Sequence, residues 1–283
     1  MTTSVRTTPL PATTTSSPDR VTRARVRDLM RSEWTKLRSV RSTVWALGTL
    51  VVATIGFTTL LTWLASTQWD TFTAAQKAAV EADPTGQILG SGFQFSQLAI
   101  CVLGVLVMTA EYSTGTIRAS LLAVPRRTPM LLAKALVFGL LVLVVAEATA
   151  FVSFLVGAAI LHSIAPVSLG DPGVLQAVIG VGLYAAVLGV FAVAVGALVR
   201  HTAGAIAGLI GFVLVLSPLA LLLPGTVGAH IHAYLPTVAG QAIATTVQGP
   251  DDLLSAWQGF GVFVLWTVAL LALANYLLKR RDA

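Results

Sequence analysis

The 283-residue sequence predicts an all-α polytopic membrane protein with six transmembrane helices. Three observations carry that prediction: composition, the lengths of the charge-free stretches, and the sidedness of the basic residues. Hydrophobic residues make up 55% of the chain and charged residues 11%, with a mean hydropathy of +0.83. A water-soluble domain carries about a quarter charged residues, so water cannot be the main solvent of this surface. With 24 Gly, 12 Pro and the single Cys101, a collagen-like chain and a disulfide scaffold are excluded. The net charge of +6 would suggest nucleic acid in a soluble protein; here it speaks first of topology, and no nucleic-acid partner is expected.

A hydrocarbon core about 30 Å thick needs roughly 20 apolar residues at 1.5 Å rise each. Six stretches meet that requirement: 43 to 64, 92 to 110, 132 to 160, 174 to 199, 203 to 223 and 257 to 278. The third is long enough to tilt or to project from the bilayer. After Pro224-Gly225, the apolar segment through Ala229 to Gln248 is too broken by His, Pro and Gly to make a seventh. Six spans return the chain to its starting side. Of 18 Lys and Arg, 17 then lie with the termini and only Lys77 lies opposite, where Asp70, Glu81, Asp83, Asp171, Asp251 and Asp252 collect. The positive-inside rule therefore puts both termini in the cytoplasm of a multi-pass cell-membrane protein. One helix more or fewer would scramble the split.

Residues 1–22, rich in Ser, Thr and Pro, bury too little to offset the entropy of ordering and read as a disordered cytoplasmic tail. The first apolar run begins only after Arg41 and is too long for a signal-peptide core, so it is expected to remain as a span. Residues 23–41 form an amphipathic interfacial helix, with Val26, Leu29, Met30, Trp34, Leu37 and Val40 on one arc flanked by Arg25, Arg27, Arg31, Lys36 and Arg38. Such a helix lies on membrane lipids with its cations near phosphates, or serves only as an orienting anchor. Glu33 interrupts the arc; it either pairs with Lys36 at i+3 or faces a protein partner. Residues 42–283 form the six-span transmembrane domain.

Between the second and third spans runs Glu111-Tyr112-Ser113-Thr114-Gly115-Thr116-Ile117-Arg118, followed by Ala119 to Val124 and Pro125-Arg126-Arg127-Thr128-Pro129. Thr116 to Val124 can form a short helix, capped by Thr114 or Thr116 and stopped by Pro125. Glu111 and Arg118 bracket it and can neutralise one another. A mere connector would not need the apolar face of Ile117, Leu121, Leu122 and Val124, whose exposure invites a protein contact.

Two of these segments carry a resemblance. The run Ser32-Glu33-Trp34-Thr35-Lys36-Leu37-Arg38-Ser39-Val40-Arg41-Ser42-Thr43 resembles the amino-terminal elbow of actinobacterial permeases of the ABC type-2 exporter family, six-span membrane subunits that pair with a separate ATPase. An acid at the end of span two, then Gly-Thr-Ile-Arg, a short apolar helix, Pro-Arg-Arg and Lys134, is similar to the coupling-helix loop of the same permeases, which docks on the ATPase. The resemblance implies an ATP-driven exporter with Glu111, Gly115, Thr116, Arg118, Leu121 and Leu122 as ATPase-coupling residues and Glu33, Trp34 and Lys36 as elbow or partner contacts. It further implies a second permease copy, in a homodimer or heterodimer, and ATP and Mg bound by the partner ATPase rather than by this chain. Without the resemblance, Arg118, Arg126, Arg127 and Lys134 read as topogenic cations beside a lipid-bound helix.

Sequence motifs agree with a missing motor. A Walker phosphate cradle needs Lys after Gly, but Lys36, Lys77, Lys134 and Lys279 follow Thr, Gln, Ala and Leu. HExxH, GxSxG and clustered Cys with His do not occur, so the chain is expected to be a transport subunit rather than an enzyme. His230 and His232, two apart with no nearby Cys, suit neither one helix face nor a zinc motif, and no metal is expected.

Glu147 is the charged residue set deep in a span, where a carboxylate costs at least about 2.5 kcal/mol. It must face protein or water, either as a pathway or proton-linked carboxylate or as a protonated or hydrogen-bonded packing residue. Gln94, Gln97 and Asn275 line a route or bond across helices. Gly204 and Gly208 form a GxxxG packing site, expected within the subunit. Gly225 to Ala256 makes either short re-entrant or interfacial helices that shape the exit, as the resemblance implies, or an amphipathic surface loop. Two other readings stay open: an ion-coupled secondary transporter or channel using Glu147, for which no inverted repeat is visible, and a noncatalytic assembly or sensor subunit.

Overall fold

A computed structural model describes residues 18–115, 127–247, 249 and 252–280. Helices and the turns that join them make up this range, and no strand occurs among the described residues. Helix α1 (Pro18–Ser39) leads through the extended Val40 into α2 (Arg41–Thr67), the first span. On the far side, α3 (Ala74–Ala82) starts from a capping box in which Thr73 and Gln76 satisfy each other's backbone N–H groups. The remaining spans are α4 (Pro84–Ser113), α5 (Arg127–Leu161), α6 (Val174–Val199), α7 (Thr202–Leu221) and α10 (Ala256–Arg280). Two short helices, α8 (Gly225–Ala233) and α9 (Pro236–Gln241), fill the interval before α10.

The six long apolar helices match the six expected stretches. Two differ in length. Helix α4 begins at Pro84 instead of 92, because the Asp83 side chain accepts from Gly86 N at 2.8 Å and proline suits the first helical turn. Helix α5 begins at Arg127 instead of 132 and runs for 35 residues, about 52 Å, well beyond a hydrocarbon core. Helix α1 begins at Pro18, so residues 18–22, assigned to the tail by composition, are helical.

Burial ranks the spans. Helix α6 is 67% buried along its apolar window and packs on α4, α5 and α10, while α2, α7 and α10 are each 22% buried and form the periphery. Val105, Met108, Phe138, Leu188, Ala192 and Phe263 meet in the main core, each fully enclosed. Helix α2 packs on α4 and α5 through Leu50, Thr54, Thr58 and Thr62, a stripe at i, i+4, i+8 and i+12. Its outer face leaves Trp45, Val52 and Trp63 exposed, as hydrocarbon solvent permits.

The interval between the fifth and sixth spans folds back onto the bundle. Pro236, Thr237, Ala239, Gly240 and Ile243 are buried, and α9 packs against α6 and α10. A Cβ at Gly180 of α6 would overlap the carbonyl oxygen of Ile243, so that glycine is what lets the segment seat. The GxxxG pair has a different setting from a packing site inside the subunit. Gly204 and Gly208 are exposed, and a Cβ at Gly208 would meet nothing; the buried face of α7 is Ala205, Leu209 and Val213.

Candidate functional site where the second span ends and the third begins

Where α1 crosses the starts and ends of the spans, four charged side chains close a ring. Lys36 Nζ donates to Glu33 Oε1 at 2.7 Å and to Glu111 Oε1 at 3.0 Å. Lys134 Nζ donates to Glu33 Oε2 at 2.7 Å and to Glu111 Oε1 at 2.9 Å. Charge alternates around the ring and sums to zero. Glu33 is 3% exposed and Lys134 3%, so water does little to screen this pair; Lys36 forms the open side.

Each member is placed by its helix. On α1, Met30, Glu33 and Leu37 fall on one stripe at i, i+3 and i+7, with Leu37 buried and Met30 packed on the core. Glu33 therefore does not break the inward arc; it is the arc's centre. Trp34 and Val40, expected on that arc, are 47% exposed each. Glu111 is buried in the last turn of α4, and Lys134 lies in the second turn of α5, between Ala133 and Ala135, both buried. Oxygen Oε2 of Glu111 is buried with no hydrogen-bond partner among the described residues.

Breaking one member of such a buried pair costs about 3–5 kcal/mol, since it strands the opposite charge. Lys36 is held above its ordinary value: burial works against its charge, but hydrogen bonds from its ammonium to Glu33 and Glu111 and their negative charges outweigh it. The ring makes elbow, second span and third span one mechanical unit. A second tie lies beside it, where the Arg200 guanidinium sits 5.2 Å from the Tyr112 ring centroid. Arg200 terminates α6 in the left-handed region at φ 60°.

Of the expected coupling residues, Glu111 enters the ring and Gly115 ends α4 at φ 70°, a conformation that favours glycine. Thr116, Arg118, Leu121 and Leu122 lie outside the described residues, and so does the pairing of Arg118 with Glu111. Glu33 and Lys36 turn into the protein and Trp34 faces outward. Lys134 was read from sequence as a topogenic cation; its signal was a lysine with apolar neighbours on both sides, set level with two acids at the same membrane face.

The polar residues of the spans do not come together. Gln97 is buried and accepts from Tyr184 Oη and Gln241 Nε2, each at 3.2 Å, which locks α9 to α4 and α6. Gln94 is exposed beside the Phe57–Phe95 stack. Asn275 lies near the end of α10, accepting from Thr128 Oγ1 in the first turn of α5 at 2.7 Å. Glu147 lies midway along α5 against Gly182 of α6. His232 Nε2 pairs with Ser217 Oγ at 3.1 Å and His230 Nδ1 with the carbonyl of Thr226 at 2.7 Å. No group of His, Cys, Asp and Glu fit for a metal occurs among the described residues.

Six long apolar helices, a docked elbow and a charged joint at the mouth of the loop between α4 and α5 define a multi-pass membrane protein. The family model described as "ABC-2 family transporter protein" matches residues 29–217, from the elbow through α7. The chain belongs to that family and is the membrane permease component of an ABC transporter. A search of curated proteins finds no match.

Proposed function

We propose that the chain is the permease subunit of an ATP-driven exporter, with hydrolysis on a separate ATPase that binds ATP and Mg and engages the loop between α4 and α5. The observation that carries this reading is the ring of Glu33, Lys36, Glu111 and Lys134. It couples the two helices that flank the loop, so a push on the loop moves α4, α5 and the elbow together rather than bending one of them. Sequence supports the same division of labour, since none of the four lysines follows a glycine as a Walker lysine must. The basic residues support a plasma-membrane topology with both termini cytoplasmic. Exposed apolar faces on α2, α7 and α10 leave room for a second permease copy and for lipid.

The test is co-purification from mild detergent followed by reconstitution. A Walker-containing subunit should accompany the chain, and Glu111→Gln or Arg118→Ala should leave insertion and ATP hydrolysis intact while lowering transport per ATP. Vesicles holding only this polypeptide that transport at the full rate would remove the proposal. The ion-coupled alternative rests on Glu147 alone and predicts that a proton or sodium gradient drives flux without nucleotide.

A further inference from the structure

Helices α5, α6 and α10 leave between them a groove of about 290 Å³ whose accessible lining is wholly apolar, with Leu136, Leu140 and Leu143 facing Ala186, Val190 and Leu271. Glu147 stands one turn beyond Leu143 on the same face of α5. Across from it, Gly182 stands one turn beyond Ala186 on α6, and a Cβ there would overlap the Glu147 carboxylate. The acid therefore occupies space that the glycine leaves, at the end of the groove. Its Oε2 is buried and has no hydrogen-bond partner among the described residues.

No residue of this chain is suited to neutralise that carboxylate. Lys and Arg are absent from 42–76, 78–117, 135–199 and 201–278, which contain the interiors of all six spans. A second copy would bring the same cation-free surface to the same depth, so self-association leaves the acid as it was. A phosphodiester lipid adds negative charge and leaves it worse placed. What fits is a molecule with an apolar body and a positive group.

We propose that the groove and Glu147 form a binding site for a cationic amphiphile taken from the membrane, the apolar body lying along Leu136 to Leu143 and the cation meeting the carboxylate. This deepens the transport reading by naming a class of cargo, and rests on that reading for the word cargo alone.

Binding of radiolabelled tetraphenylphosphonium, with neutral triphenylphosphine oxide as comparison, tests the site on the full chain in phosphatidylcholine nanodiscs. Wild-type protein should bind the cation saturably. Glu147→Gln should weaken the cation at least about tenfold and change the neutral analogue by less than about twofold. Leu140→Trp, at a half-exposed groove position, should weaken both by filling the space. Cation binding untouched by Glu147→Gln, or binding no more saturable than partition into empty discs, overturns the proposal. Should Glu147→Gln fail to insert, Leu140→Trp decides by itself: retained saturable binding overturns the site, and loss upholds it. Neither variant touches the ring at the cytoplasmic face, so failure here with intact ATP coupling removes the cargo class and leaves the exporter standing.

Discussion

Lys134 Nζ lies 2.7 Å from Glu33 Oε2, which joins two residues 101 positions apart and fastens the amino-terminal elbow to the third span. Both side chains are almost wholly enclosed. That pair is the part of the ring where low dielectric makes geometry matter most.

Lys134→Met should therefore be the most damaging change at the site. It leaves Glu33 and Glu111 to share the half-exposed Lys36 alone, one cation against two carboxylates, and should cost about 3–5 kcal/mol. Combining it with Glu33→Gln should recover part of the loss, with a coupling of about 0.5–3 kcal/mol in a double-mutant cycle. Unfolding monitored in detergent measures both; additive losses would show that the two residues do not act on each other.

Lys36 gives the ring a pH limit. Its folded value lies above the ordinary 10.5, so its stabilising contribution is fully present below that pH and is lost as pH climbs through the raised value. The melting difference between wild type and Lys36→Met should stay level from about pH 7 to about pH 10 and shrink at higher pH. A difference that instead grows with alkalinity contradicts the assignment of Lys36 as the charged partner.

Gly180→Ala should unseat the segment between α7 and α10 without unfolding the bundle. The new methyl would press on the Ile243 carbonyl, a backbone atom that cannot rotate away, at a cost of about 1–3 kcal/mol. Thiol labelling at position 243 in an Ile243→Cys background reports it: labelling should be slow with Gly180 and fast with alanine.

At the buried amide network, Gln97→Leu should cost more than Tyr184→Phe. The first leaves the Tyr184 hydroxyl without its acceptor, a penalty of about 1–3 kcal/mol, and the Gln241 amide with only its long 3.5 Å bond to Tyr184 Oη; the second removes one of the two donors to Gln97 and that long bond, about 0.5–1.5 kcal/mol. Equal melting temperatures for the two variants would mean that water replaces the lost partners.

The six spans were legible because length, apolarity and the placement of Lys77 against the other cations are properties of the chain itself. Their contacts were not. Glu33 reads as an interruption in a helical arc until Lys134, a hundred residues later, is known to lie opposite it. Asn275 reads as lining a route or bonding across helices, and its bond to Thr128 of α5 gives it the second role. GxxxG likewise marks a close approach without naming the partner helix, and here Gly208 opens outward. The segment between α7 and α10 could not be read because burial of α9 depends on Gly180 and on Phe263, neither of which announces that role.

The order of the ring in the chain has a consequence for biogenesis. Ribosomes release polypeptide from the amino terminus, so both acids leave the exit tunnel before the lysine that lies between them. Until the third hydrophobic segment inserts, Glu33 has only its local neighbour Lys36. A nascent protein halted short of position 134 has only the half-exposed Lys36 to join Glu33 to Glu111, which makes that later lysine the closing step of amino-terminal assembly.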